Sequence, residues 1–136
     1  MTLLAGALAL GLATALLLHE LGHVVAALVL GGRVERVRWS GLGARVVAEL
    51  PSRRAQALFL LAGAGANLVV AAAVLALAFG ARSSTMAGAM GLFAGMHLLH
   101  ALFALLPAGK SDGARLRALA KAREGDGPPE AERGER

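Results

Sequence analysis

The residues with chemistry to offer are few, and they stand in an apolar setting. His19, Glu20 and His23 occur in the order His19-Glu20-Leu21-Gly22-His23, an H-E-x-x-H pattern. On a helix, residues four apart lie about 40° apart around the axis, so both imidazoles can grip one metal ion. The glutamate between them stays off the metal but close enough to take a proton from water activated there. The chemistry served by this spacing is metal-assisted hydrolysis. Two imidazoles do not complete a catalytic zinc site, which usually has three protein ligands and a position open to water. The chain has no cysteine, so the third ligand must be His, Asp or Glu, and His97, His100 and Asp112 are the candidates. Two plainer readings stand beside these. The histidines and Glu20 can serve as polar helix–helix contacts without metal, and Asp112 can cap a following helix.

The elements that must position these groups are long and apolar. Of 136 residues, 57% are hydrophobic and 17% charged, too few polar groups to coat a soluble domain of this size. Three stretches, Leu3 to Leu30, Ala55 to Phe79 and Met86 to Leu106, each reach the roughly 20 residues needed to cross about 30 Å of hydrocarbon. The pattern predicts an all-α membrane protein, three transmembrane helices with a short β-hairpin between the first and second. His19, Glu20 and His23 then fall inside the first span, and His97 and His100 inside the third, where ionisable groups are costly and mark function. The first stretch lacks a basic n-region and runs on past Ala13-Thr14-Ala15, so it reads as a mature span instead of a cleaved signal peptide. Gly91 and Gly95 form a GxxxG pattern that predicts close packing within the bundle. Asn67 is placed to hydrogen-bond across helices or steady the site.

Charge gives the orientation. Six arginines (Arg33, Arg36, Arg38, Arg45, Arg53, Arg54) lie in the first loop and seven basic residues follow the third span, with Arg82 alone in between. The positive-inside rule then makes the 31–54 loop and the C-terminal tail cytoplasmic. These cations are suited to anionic headgroups of the lipid bilayer. Nothing aromatic-rich accompanies them, which argues against nucleic acid as a partner. Arginine-rich, lysine-poor usage hints at a prokaryotic cytoplasmic membrane. Within the loop, Val34, Val37 and Trp39 mark one strand and Val46, Val47 and Leu50 another, joined by Ser40-Gly41-Leu42-Gly43 and stopped by Pro51. Trp39 is expected at the membrane interface. Three regions result: a membrane core over 1–108, a loop and short basic amphipathic helix over 109–124 with Leu116 and Leu119 inward, and a disordered tail over 125–136.

The H-E-x-x-H of the first span, together with Leu105-Leu106-Pro107-Ala108-Gly109-Lys110-Ser111-Asp112-Gly113 after the third, resembles the site-2 protease family of intramembrane zinc metalloproteases. Gly63-Ala64-Gly65-Ala66-Asn67 is similar to that family's Gly-Pro-x-x-Asn, with Ala64 in place of the proline, and the Gly-rich hairpin matches its strand region. The resemblance covers about residues 15–120, a minimal three-span core. It implies Zn2+ held by His19, His23 and Asp112, with Glu20 as general base and a membrane-spanning protein as substrate. It also implies an asparagine eight residues before the aspartate, where this chain has Ala104. His97 or His100 would then replace that donor or add a ligand.

The expected function is therefore an intramembrane zinc metalloendopeptidase, with one hairpin edge holding an unwound substrate segment by β-addition. The alternatives are a catalytically weak or inactive relative that binds a membrane partner or a metal, and a small structural membrane protein whose histidines are packing groups. Oligomeric state is not fixed by the sequence.

Overall fold

The computed structural model describes residues 2–40 and 43–125, with α1 (Thr2–Val29), β1 (Arg33–Ser40), β2 (Gly43–Glu49), α2 (Arg53–Phe79), α3 (Ser84–Leu105) and α4 (Asp112–Gly125) in chain order. The expected turn residues 41–42, the Trp39 side chain and the tail from 126 onward lie outside the described residues. The first three helices have 28, 27 and 22 residues and are long and apolar enough to cross a membrane. At 1.5 Å per residue they measure about 42, 40 and 33 Å. Their flanks expose large apolar side chains such as Leu17, Leu28, Val69 and Leu102, an outer surface that water would penalise.

What holds the three helices together is a stripe of small residues. Gly11, Ala15, His19, His23 and Ala27 are buried on α1, one every fourth residue. Ala55, Phe59, Gly63, Asn67 and Ala71 repeat the pattern on α2, and Ala89, Ala94, His97 and Ala101 face inward on α3. Such i±4 rows are the ridges along which helices interlock, and small side chains let backbones approach. A Cβ on Gly22 would stand 2.7 Å from the Ala62 carbonyl oxygen, so α1 and α2 touch backbone to backbone there.

The GxxxG expectation is not met. A Cβ on Gly91 or Gly95 would meet nothing within 4 Å. Neither is among the buried residues of α3: at 100° per residue, Gly91 and Gly95 turn more than about 100° from the mean direction of Ala89, Ala94, His97 and Ala101.

The hairpin is antiparallel and its register shifts between Val34 and Arg36. That bulge explains the imperfect apolar alternation. With Glu35 as the extra residue, Val34 pairs with Ala48 and Val37 with Val46, so two valines three apart come to one face. Val46 is buried with Ala27, Phe59 and Leu60, and Val34, Ala48, Leu50 and Leu116 pack around them. This apolar cluster fixes the hairpin and α4 against the same end of the helices. Arg53 donates to the Leu119 carbonyl and strengthens that dock.

Candidate metal centre

His19 and His23 sit on successive turns of the buried α1 stripe, so both rings point between α2 and α3. Asp112 comes to them from a distant part of the chain. Gly109 adopts φ +60°, a left-handed turn suited to glycine, and the Ser111 hydroxyl donates back to the Leu106 carbonyl. Arg45 on β2 donates to the Lys110 carbonyl at 2.6 Å. Gly113 is buried against the end of α3, where a Cβ would run into the Leu105 carbonyl. That is the physical reason for glycine directly after the aspartate. The N-cap of α4 is Ser111, whose Oγ accepts from the Ala114 amide at 3.1 Å. Asp112, for which capping was the plainer alternative, is thereby released to face the histidines.

The result is a compact three-atom cluster. Asp112 Oδ2 lies 3.0 Å from His19 Nε2 and 3.0 Å from His23 Nε2, and the two nitrogens are 3.2 Å apart. Both histidines are buried and the aspartate nearly so. Tetrahedral zinc with bonds of about 2.0–2.1 Å separates its ligand atoms by about 3.3 Å, so this triangle fits one ion after opening by a few tenths of an ångström. Burial opposes ionisation of Asp112, but the His19 and His23 rings beside it outweigh it and hold the carboxyl well below its ordinary range. It is a carboxylate, an acceptor on every side.

The donor set also argues for a cation. His23 Nδ1–H donates to the Phe59 carbonyl at 2.7 Å, which fixes the tautomer and leaves Nε2 as a lone pair. That lone pair faces a carboxylate oxygen. A single proton on His19 Nε2 cannot satisfy all three short contacts, whereas one cation satisfies them together.

Gly63 completes the cage from α2. A Cβ there would lie 2.6 Å from His19 Cε1 and 2.7 Å from both His19 Nδ1 and His23 Nε2. Glu20 faces the same cavity of about 240 Å3, which is lined also by His100, Ala104 and residues 44–46 of β2. Its Oε2 accepts from the Val46 amide at 3.0 Å, so an edge N–H of the hairpin orients the carboxylate.

His97 is not part of the cage. Asn67 Nδ2 donates to the Ala15 carbonyl at 3.1 Å, which turns Oδ1 toward His97. His97 Nδ1–H donates to that oxygen at 2.7 Å, and its Nε2 lies 3.1 Å from the Thr14 hydroxyl, which also donates to the Leu10 carbonyl at 2.7 Å. Both nitrogens are engaged, and His97 and Asn67 are fully buried. The pair forms a clasp across all three helices, which bears out hydrogen bonding across helices for Asn67 and removes His97 from the third-ligand candidates. His100 likewise is outside the three converging atoms. Its ring lies 4.8 Å from that of His19.

Sequence reasoning missed four positioning groups: the Phe59 carbonyl, the Val46 amide, Gly63 as a contact of the imidazoles, and the Ser111 cap. The first two are backbone atoms with no residue-type signal. The Ser111 cap had one, since serine directly before a helix is a common N-cap. Compared with protein-family models, with curated proteins and with solved structures, the chain matches none.

Proposed function

We propose that this chain is an intramembrane zinc metalloendopeptidase, a minimal three-span member of the site-2 protease family that cleaves membrane-embedded protein substrates. The observation that carries the reading is the convergence of His19 Nε2, His23 Nε2 and Asp112 Oδ2 within 3.0–3.2 Å of one another, beside Glu20 in one cavity. Zinc, when bound, would supply Lewis-acid polarisation of a carbonyl and would make water nucleophilic at neutral pH. Glu20 takes the proton from the attacking water and passes it to the departing amine. The Val46 amide keeps the carboxylate turned into the cavity during both transfers. The Phe59 carbonyl holds His23 in its ligand tautomer, and Gly63 leaves room for both rings.

Three helices long and apolar enough to cross a membrane support a site within a lipid bilayer, and the arginine-rich hairpin and α4 favour a cytoplasmic cage end by the positive-inside rule. Metal content of the purified full-length chain in detergent tests the reading. One zinc per chain is expected, retained in Glu20→Gln while peptide cleavage is lost; absence of stoichiometric metal would overturn it. Ala104 on the cavity wall, where the resembled family carries asparagine, favours a second reading, a non-catalytic metal-binding relative. One zinc per chain with no cleavage of any offered span would select that one.

A further inference from the structure

Of the chain's four histidines, three are hydrogen-bonded, and His100 has no hydrogen bond among the described residues. Its Nδ1 is buried without a partner, an expensive state for a polar atom unless a ligand completes it. Among the other polar side chains around the cavity, His19 Nδ1 is likewise buried without a partner, and the rest are accounted for. His19, His23 and Asp112 face one another, Glu20 takes the Val46 amide, and Arg45 and Ser111 donate to backbone carbonyls. Arg115 stands 3.6 Å from Asp112, and Lys110 is exposed at the rim. His100 therefore lines the cavity beside the cage with a ring whose Nδ1 has no partner, and Ala104, one turn further along α3, adds no polar atom there.

A second feature concerns access. His100 and Ala104 also line an apolar cleft of about 430 Å3 between α1 and α3, with Leu12, Met96, Leu99 and Phe103. Leu12, Leu99 and Phe103 are exposed on the helix flanks. An apolar peptide segment lying in this cleft meets His100 before it reaches the cage.

We propose that His100 is a catalytic residue whose imidazole N–H donates to the oxygen of the scissile carbonyl from α3, while Glu20 acts from α1. This rests on the metallopeptidase reading above. A neutral imidazole suffices, since it always carries one N–H, and the bond strengthens as the oxygen gains negative charge during water attack. His97 cannot take this role because both of its nitrogens are held in the clasp.

The test uses the zinc-loaded full chain in micelles with two probes. One is a leucine-flanked phosphonamidate peptide, which mimics the tetrahedral carbon, with affinity read by calorimetry. The other is fluorescently labelled casein, with turnover read as kcat and KM. His100→Phe keeps a ring of similar size without the donor, and His100→Gln returns an N–H. In His100→Phe, zinc content should match the wild type, phosphonamidate affinity should fall about ten- to hundredfold, and kcat should fall about a hundredfold with KM little changed. His100→Gln should recover part of both. Wild-type phosphonamidate affinity in His100→Phe overturns the proposal alone, and so does loss of zinc, which would make His100 a ligand. A wild-type chain that holds no zinc, or that neither binds the phosphonamidate nor cleaves casein, overturns the metallopeptidase reading and His100's role with it.

Discussion

Two buried polar clusters lie along the same stripe of α1, and they differ in one respect. In the clasp, the buried amide and imidazole pair donor with acceptor, Asn67 to the Ala15 carbonyl and His97 to Asn67, and His97 Nε2 faces the Thr14 hydroxyl, whose one proton is shared with the Leu10 carbonyl. In the cage, a carboxylate, a tautomer-locked imidazole and a second imidazole aim lone pairs at one point. The first cluster is complete without a ligand, and the second is short of positive charge. The comparison shows why burial of histidine within a span is an incomplete argument for chemistry. The balance of donors and acceptors separates a structural histidine from a ligand, and only the cage fails that balance.

The comparison breaks most readily at the cage. Asp112→Asn keeps the shape but removes the charge, and zinc affinity should fall by more than the roughly ten- to hundredfold that loss of an outer partner costs. The fold should persist, as read by metal titration alongside circular dichroism. A variant that binds zinc like the wild type would place the third ligand elsewhere.

Gly63→Ala comes next. Its methyl would stand 2.6–2.7 Å from both imidazoles, so either α2 moves away or the rings rotate, at a cost of about 1–3 kcal/mol for overpacking. Zinc affinity should fall about tenfold or more, because the Nε2 atoms no longer converge. Unchanged metal affinity would mean that α2 is free to yield.

The clasp should show the opposite signature. Asn67→Leu leaves His97 Nδ1 buried and unpaired and removes the second hydrogen bond to the Ala15 carbonyl, and should destabilise the bundle by about 1–3 kcal/mol. Zinc affinity per folded chain should stay near that of the wild type. Adding His97→Leu should restore part of the stability, since replacing both partners by apolar groups removes the unpaired atom. Thermal unfolding in micelles reads both, and additive losses would argue against a coupled clasp.

The smallest effect is expected at Gly95→Ala. Its Cβ meets nothing within 4 Å, so only helix propensity changes, by roughly 0.5–1 kcal/mol in favour of alanine. Destabilisation beyond that would reveal a packing partner on this face of α3.

Much of the fold was legible because apolar length and charge blocks are properties of composition along the chain. The helix bounds fall within about two residues of the expected stretches, and the hairpin lies where Val34 to Leu50 predicted it. The GxxxG on α3 misled for a geometric reason. The motif states that two glycines share a face, and nothing in it says which face meets a neighbour. The α1 half of the cage was readable because His19 and His23 are four apart on one helix, a local relation. Choosing Asp112 over His97 and His100 on residue types alone was beyond the sequence, since all three can ligate zinc.

The sequence by itself determined three apolar helices, a hairpin, and a pair of imidazoles on one face with a carboxylate between them. These follow from helical period and hydrophobic length, which act over a few turns. The tertiary structure decided which distant residue closes the cage and which histidine is locked in a clasp. It also decided which backbone atoms orient His23 and Glu20, and which glycines lie at contacts. Those outcomes depend on where separate helices meet and on how their donors and acceptors balance there, and neither quantity is a local property of the chain.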